Sequence, residues 1–436
     1  MGLIDNILFL LLLGSASFLF AKNVMKVRRN ILLGKDVNRS DQSVKRWEMM
    51  IRVALGQSKM VVRPVAGIMH ILVYVGFVII NIEVIEIIID GIFGTHRVLS
   101  FAGSLYNFLI ASFEWLALGV IVGCAVFLVR RNIIRLQRFL SKDLDGWPRS
   151  DANIILTIEI LLMSAFMLMN ASDAILQSRG AEHYLQAGSF PVSSWLIPML
   201  DGLSSNALIM IERGCWWFHI IGIFAFLNYL PYSKHFHILL AFPATYYSNL
   251  EAKGSFKNLD SVSNEVKLML DPSAVPPPSD GSPQRFGAKD VFDLNWKQLL
   301  DAYTCTECGR CTSVCPANIT GKLLSPRKIL MATRDRLEEV GKNIDANGSF
   351  QDDGKSLIGT YISEEELWAC NTCNACTDAC PVNLDPLSVI LDLRQFLVME
   401  QSAAPAALNS MFTNIENNGA PWQFSPSDRL NWAKED

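Results

Sequence analysis

Two short cysteine runs constrain this sequence more than any other feature. The first is Cys305-Thr-Glu-Cys308-Gly-Arg-Cys311-Thr-Ser-Val-Cys315-Pro316. The second is Cys370-Asn-Thr-Cys373-Asn-Ala-Cys376-Thr-Asp-Ala-Cys380-Pro381. Both follow C-x2-C-x2-C-x3-C-P. Three thiolates at this spacing wrap one iron–sulfur cubane within a tight loop, and the fourth points away and ligates a second cluster. Cys305, Cys308, Cys311 and Cys380 are therefore expected to hold one [4Fe–4S] cluster, and Cys370, Cys373, Cys376 and Cys315 the other. Gly309 is expected to relieve backbone crowding beside a cluster. Zinc knuckles lack the repeated third cysteine and the Cys-Pro, and a secreted disulfide scaffold does not use metal spacing. Cys124 and Cys215 stand alone in apolar segments and read as small buried residues.

The cysteines lie in the polar part of a chain that is otherwise too apolar for a soluble protein. Half of its 436 residues are hydrophobic and 18% are charged. The apolar residues concentrate before Asn249 in runs long enough to cross lipid. Five spans are predicted, at about 3–21, 64–89, 106–129, 152–173 and 213–230. No basic residue precedes the first apolar run, while Lys22, Lys26, Arg28 and Arg29 follow it, so it reads as a retained span and not a signal peptide. A net charge of -4 offers no case for nucleic acid.

The loops set an expected orientation. Residues 22–63 carry eleven Lys/Arg against three acids, and residues 130–149 carry six against two. Arg97 is alone between spans two and three, and Arg179 is alone in loop 174–212. The positive-inside rule then puts the N-terminus outside and the cluster domain in the cytoplasm, in line with thiols that ligate metal in a reducing compartment. The outer loop 184–212 is expected to hold a short surface helix, since Pro191 and Pro198 argue against a sixth span. Trp47 to Leu55 reads as an amphipathic surface helix.

All six histidines precede residue 238. Imidazole is an axial haem ligand, and a b-type haem leaves no CxxCH trace. A bis-histidine haem needs two histidines at similar depth on neighbouring helices. His70 with either His235 or His237 meets that condition at the cytoplasmic face, and His219 with His96 meets it near the outer face. The plainer reading is that each is hydrogen-bonded in the bundle or wet at the interface; His183 reads as solvated. Glu83, Glu86 and Glu114 fall in the outer half of their spans and Glu159 lies nearer the cytoplasm. Carboxylates at such depth are costly, and the first three are candidates for a proton relay from a quinol site. Pairing with Ser, Asn or Arg is the alternative.

Residues 249–290 read as a linker, extended and rich in turns from Asp271 to Pro283. A helix is predicted near Phe292 to Ala302, and two more within the insert between the cysteine runs, near 325–340 and 363–369. The tail beyond Glu400 has little pattern apart from Gly419 to Arg429 and Trp432, and is assigned to partner contact.

The stretch from Cys305 to Pro326, with Asn414-Ile-Glu-Asn-Asn-Gly-Ala-Pro-Trp422, resembles the ferredoxin part of heterodisulfide reductase D-like iron–sulfur oxidoreductases. That group includes membrane proteins connecting electron-transfer flavoprotein to menaquinone. The apolar half resembles nitrate reductase gamma-type haem b proteins, through Pro64-Val-Ala-Gly-Ile-Met-His70 and His235-Phe-His237. His219 and His237 are spaced like that family's ligands on its last span, but Met60 and Ile80 flank His70 where two-haem members carry a second histidine. Resemblance to dicluster ferredoxins implies that the two clusters lie close enough for electron transfer. Reductase relatives carry paired-cysteine domains after the ferredoxin part. This sequence has no Cys-Cys and no cysteine after Cys380, so the catalytic portion is expected to be absent or on a separate subunit.

The expected architecture is a membrane all-α helical bundle of about five spans followed by a mostly helical cytoplasmic dicluster ferredoxin-like domain. Residues 1–248 form the haem b-type membrane domain, 249–290 the linker, 291–400 the cluster domain and 401–436 the tail. The expected function is electron transfer in a bacterial or archaeal cytoplasmic membrane. It links a quinone/quinol pool, through one or two b haems and two [4Fe–4S] clusters, to a cytoplasmic redox subunit. That subunit would carry paired-cysteine iron–sulfur domains or flavin. The alternatives are a component of an electron-transfer flavoprotein:quinone reductase and a non-catalytic anchor with structural clusters.

Overall fold

The computed structural model describes residues 3–255, 258–271, 273–275 and 285–434. Five of its helices are long and apolar enough to cross a membrane: Leu3–Ile31, Pro64–Phe93, Ser104–Asn132, Trp147–Ser178 and Ser205–Tyr229. Their flanks follow ordinary helix rules. Proline stands in the first turn of the second and fourth, where its missing N–H costs nothing. Gly94 ends the second in a left-handed turn at φ 70, a conformation that suits glycine. The Ser204 side chain caps the fifth by accepting from Ala207 N. Large side chains such as Ile4, Leu11, Phe18, Phe108 and Met210 stay exposed on these helices. Outward apolar surface of this kind suits lipid, where helices alone satisfy their own backbone.

Within the bundle, the fourth span packs on the fifth and third, and the second on the third. The core between them holds Phe9, Ile80, Ile110, Phe166, Trp216 and Ile220. Loop 184–212 forms a short 3-10 turn at Ser193–Leu196 and one helical turn at Ile197–Leu200, with no sixth span. Residues Ser43–Met50 form the expected surface helix, continued by a wider turn over Ile51–Leu55.

The remainder is helical, and the described residues contain isolated bridges in place of a sheet. Trp296–Thr304, Pro326–Asn347 and Pro386–Met399 enclose the polar half's core. Asn295 and Gln298 close a reciprocal cap at the first of these, and Ser325 caps the second. One finding differs from the linker reading. A helix spans Asp260–Leu270, and its Val266, Met269 and Leu270 recur at helical spacing. Residues 276–284, the proline-rich centre of the predicted linker, lie outside the described residues. The tail also contains a helix, Ala406–Asn418.

The two halves share one core. Val27, Ile31, Phe226 and Phe236 from the bundle pack with Leu299, Ile329 and Leu393 of the cluster region. Polar bonds reinforce the seam. Lys35 N donates to Leu294 O at 2.8 Å, and Trp296 N donates to Lys35 O at 3.0 Å. Asn30 Nδ2 donates to Tyr303 Oη at 3.0 Å. Approach is close enough that a Cβ on Gly341 would meet Asn30 Nδ2 at 2.4 Å. A larger residue there would have to displace the Asn30 side chain and its bond to Tyr303.

Candidate iron–sulfur and histidine sites

Both cysteine runs fold alike, as their matching spacing implies. Each has a left-handed residue before and after its second cysteine: Glu307 and Gly309 in one, Thr372 and Asn374 in the other. Each then enters a five-residue helix, Arg310–Val314 or Ala375–Ala379, that ends at the fourth cysteine. At Gly309 a Cβ would sit 2.7 Å from Arg327 Nη1, so the glycine relieves crowding by a side chain as well as serving the turn.

The two short helices pack against each other, and this exchanges the fourth cysteines. One cavity is lined by Cys305, Cys308, Cys311 and Cys380, the other by Cys315, Cys370 and Cys373, with Cys376 bordering both. All ten cysteines are free thiols. Burial pushes the Cys305, Cys376 and Cys380 thiols up to about 12. A thiolate there needs an adjacent positive centre, which bound iron supplies. Backbone N–H groups also point at sulfur: Thr372 N lies 3.4 Å from Cys370 Sγ and Leu384 N lies 3.3 Å from Cys380 Sγ. Among the described residues no three Cys, His, Asp or Glu close to the spacing of a single ion. Splayed thiols around a cavity suit a multi-atom cluster better than one zinc ion. The donor set therefore fits two [4Fe–4S] groups.

The structure brings three of the candidate histidines together. The His70 and His237 rings lie 6.4 Å apart between centroids, and His235 meets His237 edge-on at 5.6 Å. His237 Nδ1 bonds Lys234 O at 3.1 Å, which leaves Nε2 free. His70 Nδ1 is buried and has no hydrogen-bond partner. His219 is buried in the fifth span with Nδ1 3.0 Å from Leu162 O, and its ring faces Phe166. His96 does not join it. It stands against Tyr184 and 3.9 Å from Asp173, in the cavity that Trp216, one turn before His219, also lines. His183 is exposed beside Glu182.

The carboxylates separate as well. Glu83 and Glu86 line a polar cavity at the bundle end away from the cysteines, with His96, Arg97, Asp173 and Glu212. Glu86 accepts from Leu99 N at 2.9 Å and Tyr106 Oη at 3.0 Å. Glu83 Oε2, Asp173 Oδ1 and His96 Nδ1 are buried there without partners. Glu114 is not in this cavity: it accepts from Asn170, Val192 N and Ser193 N and anchors the loop between the fourth and fifth spans. Glu159 is half-buried in the fourth span. Sequence reasoning missed Arg97 and Asp173. Arg97 joins Asp173 at 2.6 Å, Asn170 at 3.0 Å and Tyr106 at 3.1 Å. A lone arginine in a basic-poor loop was its one sequence signal.

Residues 304–384 match the 4Fe-4S dicluster domain family. The protein thus joins a dicluster iron–sulfur domain to a multi-span helical membrane region, and it is related to iron–sulfur oxidoreductases of that build. It is 29% identical to the probable iron-sulfur-binding oxidoreductase FadF of Bacillus subtilis, over 99% of this chain and 61% of that one. It is 26% identical to the EtfAB:quinone oxidoreductase of Syntrophomonas wolfei, over 93% of this chain and 56% of that one. A shorter likeness, 31% over 36% of this chain and 25% of the other, is to a probable membrane-anchored ferredoxin of Chromohalobacter salexigens. The chain spans about three fifths of the first two relatives' length. No solved structure matches it.

Proposed function

We propose that the chain is the membrane component of an electron-transfer flavoprotein:quinone reductase. The observation that carries this reading is the sorting of eight cysteines into two adjoining cavities seated on a membrane-length bundle. Similarity to a quinone oxidoreductase over nearly the whole chain supports it.

Cys305, Cys308, Cys311 and Cys380 would hold one [4Fe–4S] cluster, and Cys370, Cys373, Cys376 and Cys315 the second. His70 and His237 would hold a b haem. Their rings stand 6.4 Å apart between centroids, a spacing that leaves room for one metal centre with metal–nitrogen distances of about 2 Å. His235, edge-on to His237, packs beside that pair, and His219 would hold a second haem through Nε2. Clusters and haem supply one-electron carriers when bound.

The chain's own residues do the rest. Lys234 and Arg334 clamp Glu307 beside Cys308 and join the bundle to the cysteine loop. Glu83 and Asp173 would exchange the protons that accompany quinone chemistry, because each has an unpaired oxygen in the polar cavity that Glu86 also lines. Glu114, already saturated, would not. The basic loops support a cytoplasmic cluster domain. Exposed Trp422, Phe424 and Trp432 in the tail suit contact with the flavoprotein or with a further iron–sulfur subunit.

The test is an optical and EPR spectrum of the purified full chain with iron and haem quantified. Two reduced cubane signals and a low-spin haem band are expected. Iron for fewer than two cubanes, or clusters that neither flavoprotein nor dithionite reduces, would overturn the reading and leave an anchor with structural metal.

A further inference from the structure

The two cysteine sets do not sit in equivalent surroundings. The first run is gripped by both basic loops of the bundle. Arg310, between Cys308 and Cys311, donates to Lys59 O at 2.9 Å and Met60 O at 3.1 Å. Lys59 Nζ in return donates to Cys380 O at 3.1 Å and to Asn383 at 2.7 Å. Arg63 reaches Ser313 Oγ at 2.7 Å. From the other loop, Arg138 O accepts from Arg327 Nη1 at 2.9 Å and lies against Gly309. Among the described residues no such bond from the basic loops reaches the stretch Cys370 to Cys376, and Cys373 is exposed.

Charge follows the same division. Arg310 and Arg138 act on Cys308, Lys59 acts on Cys380, and Arg334 acts on Cys305. The acids nearby are already paired: Glu307 with Lys234 and Arg334, Asp143 with Arg327, and Asp378 with Lys253. Around the second set Arg394 donates to the Cys370 carbonyl, while Asp385 acts on Cys376. One cation and one acid balance there; the first set keeps an excess of positive charge.

Resting on the two-cluster reading, we infer that this collar of Lys59, Arg138 and Arg310 makes the first set the membrane-side site of higher reduction potential, and the second set the site where electrons arrive. Reduction adds one negative charge, which nearby cations stabilise. Water at the Cys373 rim also favours the added electron and works against this order; the order holds because Arg310 is buried and Lys59 and Arg138 are half-buried, where their charges are screened least. Each electron that leaves the second site reduces the first. Two such events, with two protons, convert one quinone to quinol. A reduced flavoprotein supplies both electrons. The geometry agrees, since the helix that begins beside Arg310 and Lys59 carries His70 in its second turn.

The experiment is an EPR-monitored redox titration of the full chain in nanodiscs. Cys308→Ser and Cys373→Ser assign the two signals to the two sets. Two separated midpoints are expected, with the higher belonging to the signal altered by Cys308→Ser. Arg310→Gln and Lys59→Gln should each lower that midpoint and leave the other in place, while Arg310→Lys and Lys59→Arg restore it. If Arg310→Gln loses iron, Lys59→Gln carries the same test from outside the cysteine run. Two intact clusters whose order is reversed, or whose midpoints ignore both variants, would overturn the collar and leave the two-cluster reading standing. Absence of two cubane signals in the unaltered chain would overturn that reading itself.

Discussion

The imidazole rings of His70 and His237 face each other at 6.4 Å across the bundle end that meets the cysteine domain. One sits in the second turn of the second span, the other just past the fifth. Replacing His70 or His237 with Ala should therefore remove the same b haem. His235→Ala should leave that haem in place with a changed spectrum. Haem content by pyridine haemochrome decides this, and full haem retention in His70→Ala would remove the pair from consideration.

Cross-ligation makes an asymmetric prediction. Cys315 follows the first run but lines the second cavity. Cys315→Ser should weaken the cluster site of Cys370, Cys373 and Cys376 and spare that of its sequence neighbours. Cys380→Ser should do the reverse. Iron per chain and the surviving EPR signal read out which site is lost.

Glu83 presents a buried, unpaired oxygen to the polar cavity. Glu83→Gln keeps the shape and removes the proton-exchanging group. Electron exchange with a quinol analogue should fall about 100-fold, the usual scale of a lost acid–base group, while cluster and haem content stay unchanged. Glu114→Gln should act differently. It weakens the hold on Val192 and Ser193 and should lower thermal stability first.

Glu307 locks the cysteine loop to the bundle. Burial pushes its carboxyl up, but the charges and hydrogen bonds of Lys234 and Arg334 outweigh this and hold it below its ordinary 4.5. A depressed carboxylate contributes stability that is present above the unfolded value and lost as pH falls through the folded one. Protection factors for amide exchange near Lys234 and Glu307 should therefore drop as pH falls below 4.5. Glu307→Gln should show the loosened seam already at neutral pH, because Lys234 and Arg334 then keep only their longer ion pairs to Asp151 and Asp335.

Much of this protein is legible in local pattern. The five spans, the cap at Asn295 and the paired cysteine loops each follow from residues close in sequence. The first span shows where local pattern stops. Hydropathy ends it near Lys22, yet the helix runs to Ile31 because its basic end packs on Tyr303 and Gly341 of the distant cysteine domain. Arg97 and Asp173 were missed for a similar reason: their pairing spans two helices and a loop. The proposed choice of His237 over His235 as the partner of His70, and the separation of Glu83 from Glu114, likewise rest on three-dimensional neighbours. The linker helix at Asp260–Leu270 was obscured by the prolines that follow it.

The most direct test mixes the full chain, in nanodiscs containing menaquinone, with reduced electron-transfer flavoprotein under anaerobic conditions and follows the cluster signals by freeze-quench EPR. Both cubane signals should appear within the mixing series and then decay as quinol accumulates, with Cys308→Ser and Cys373→Ser each abolishing quinol formation. Quinol that forms at the same rate in both cysteine variants, or clusters that the flavoprotein never reduces, would contradict an electron path through these eight cysteines.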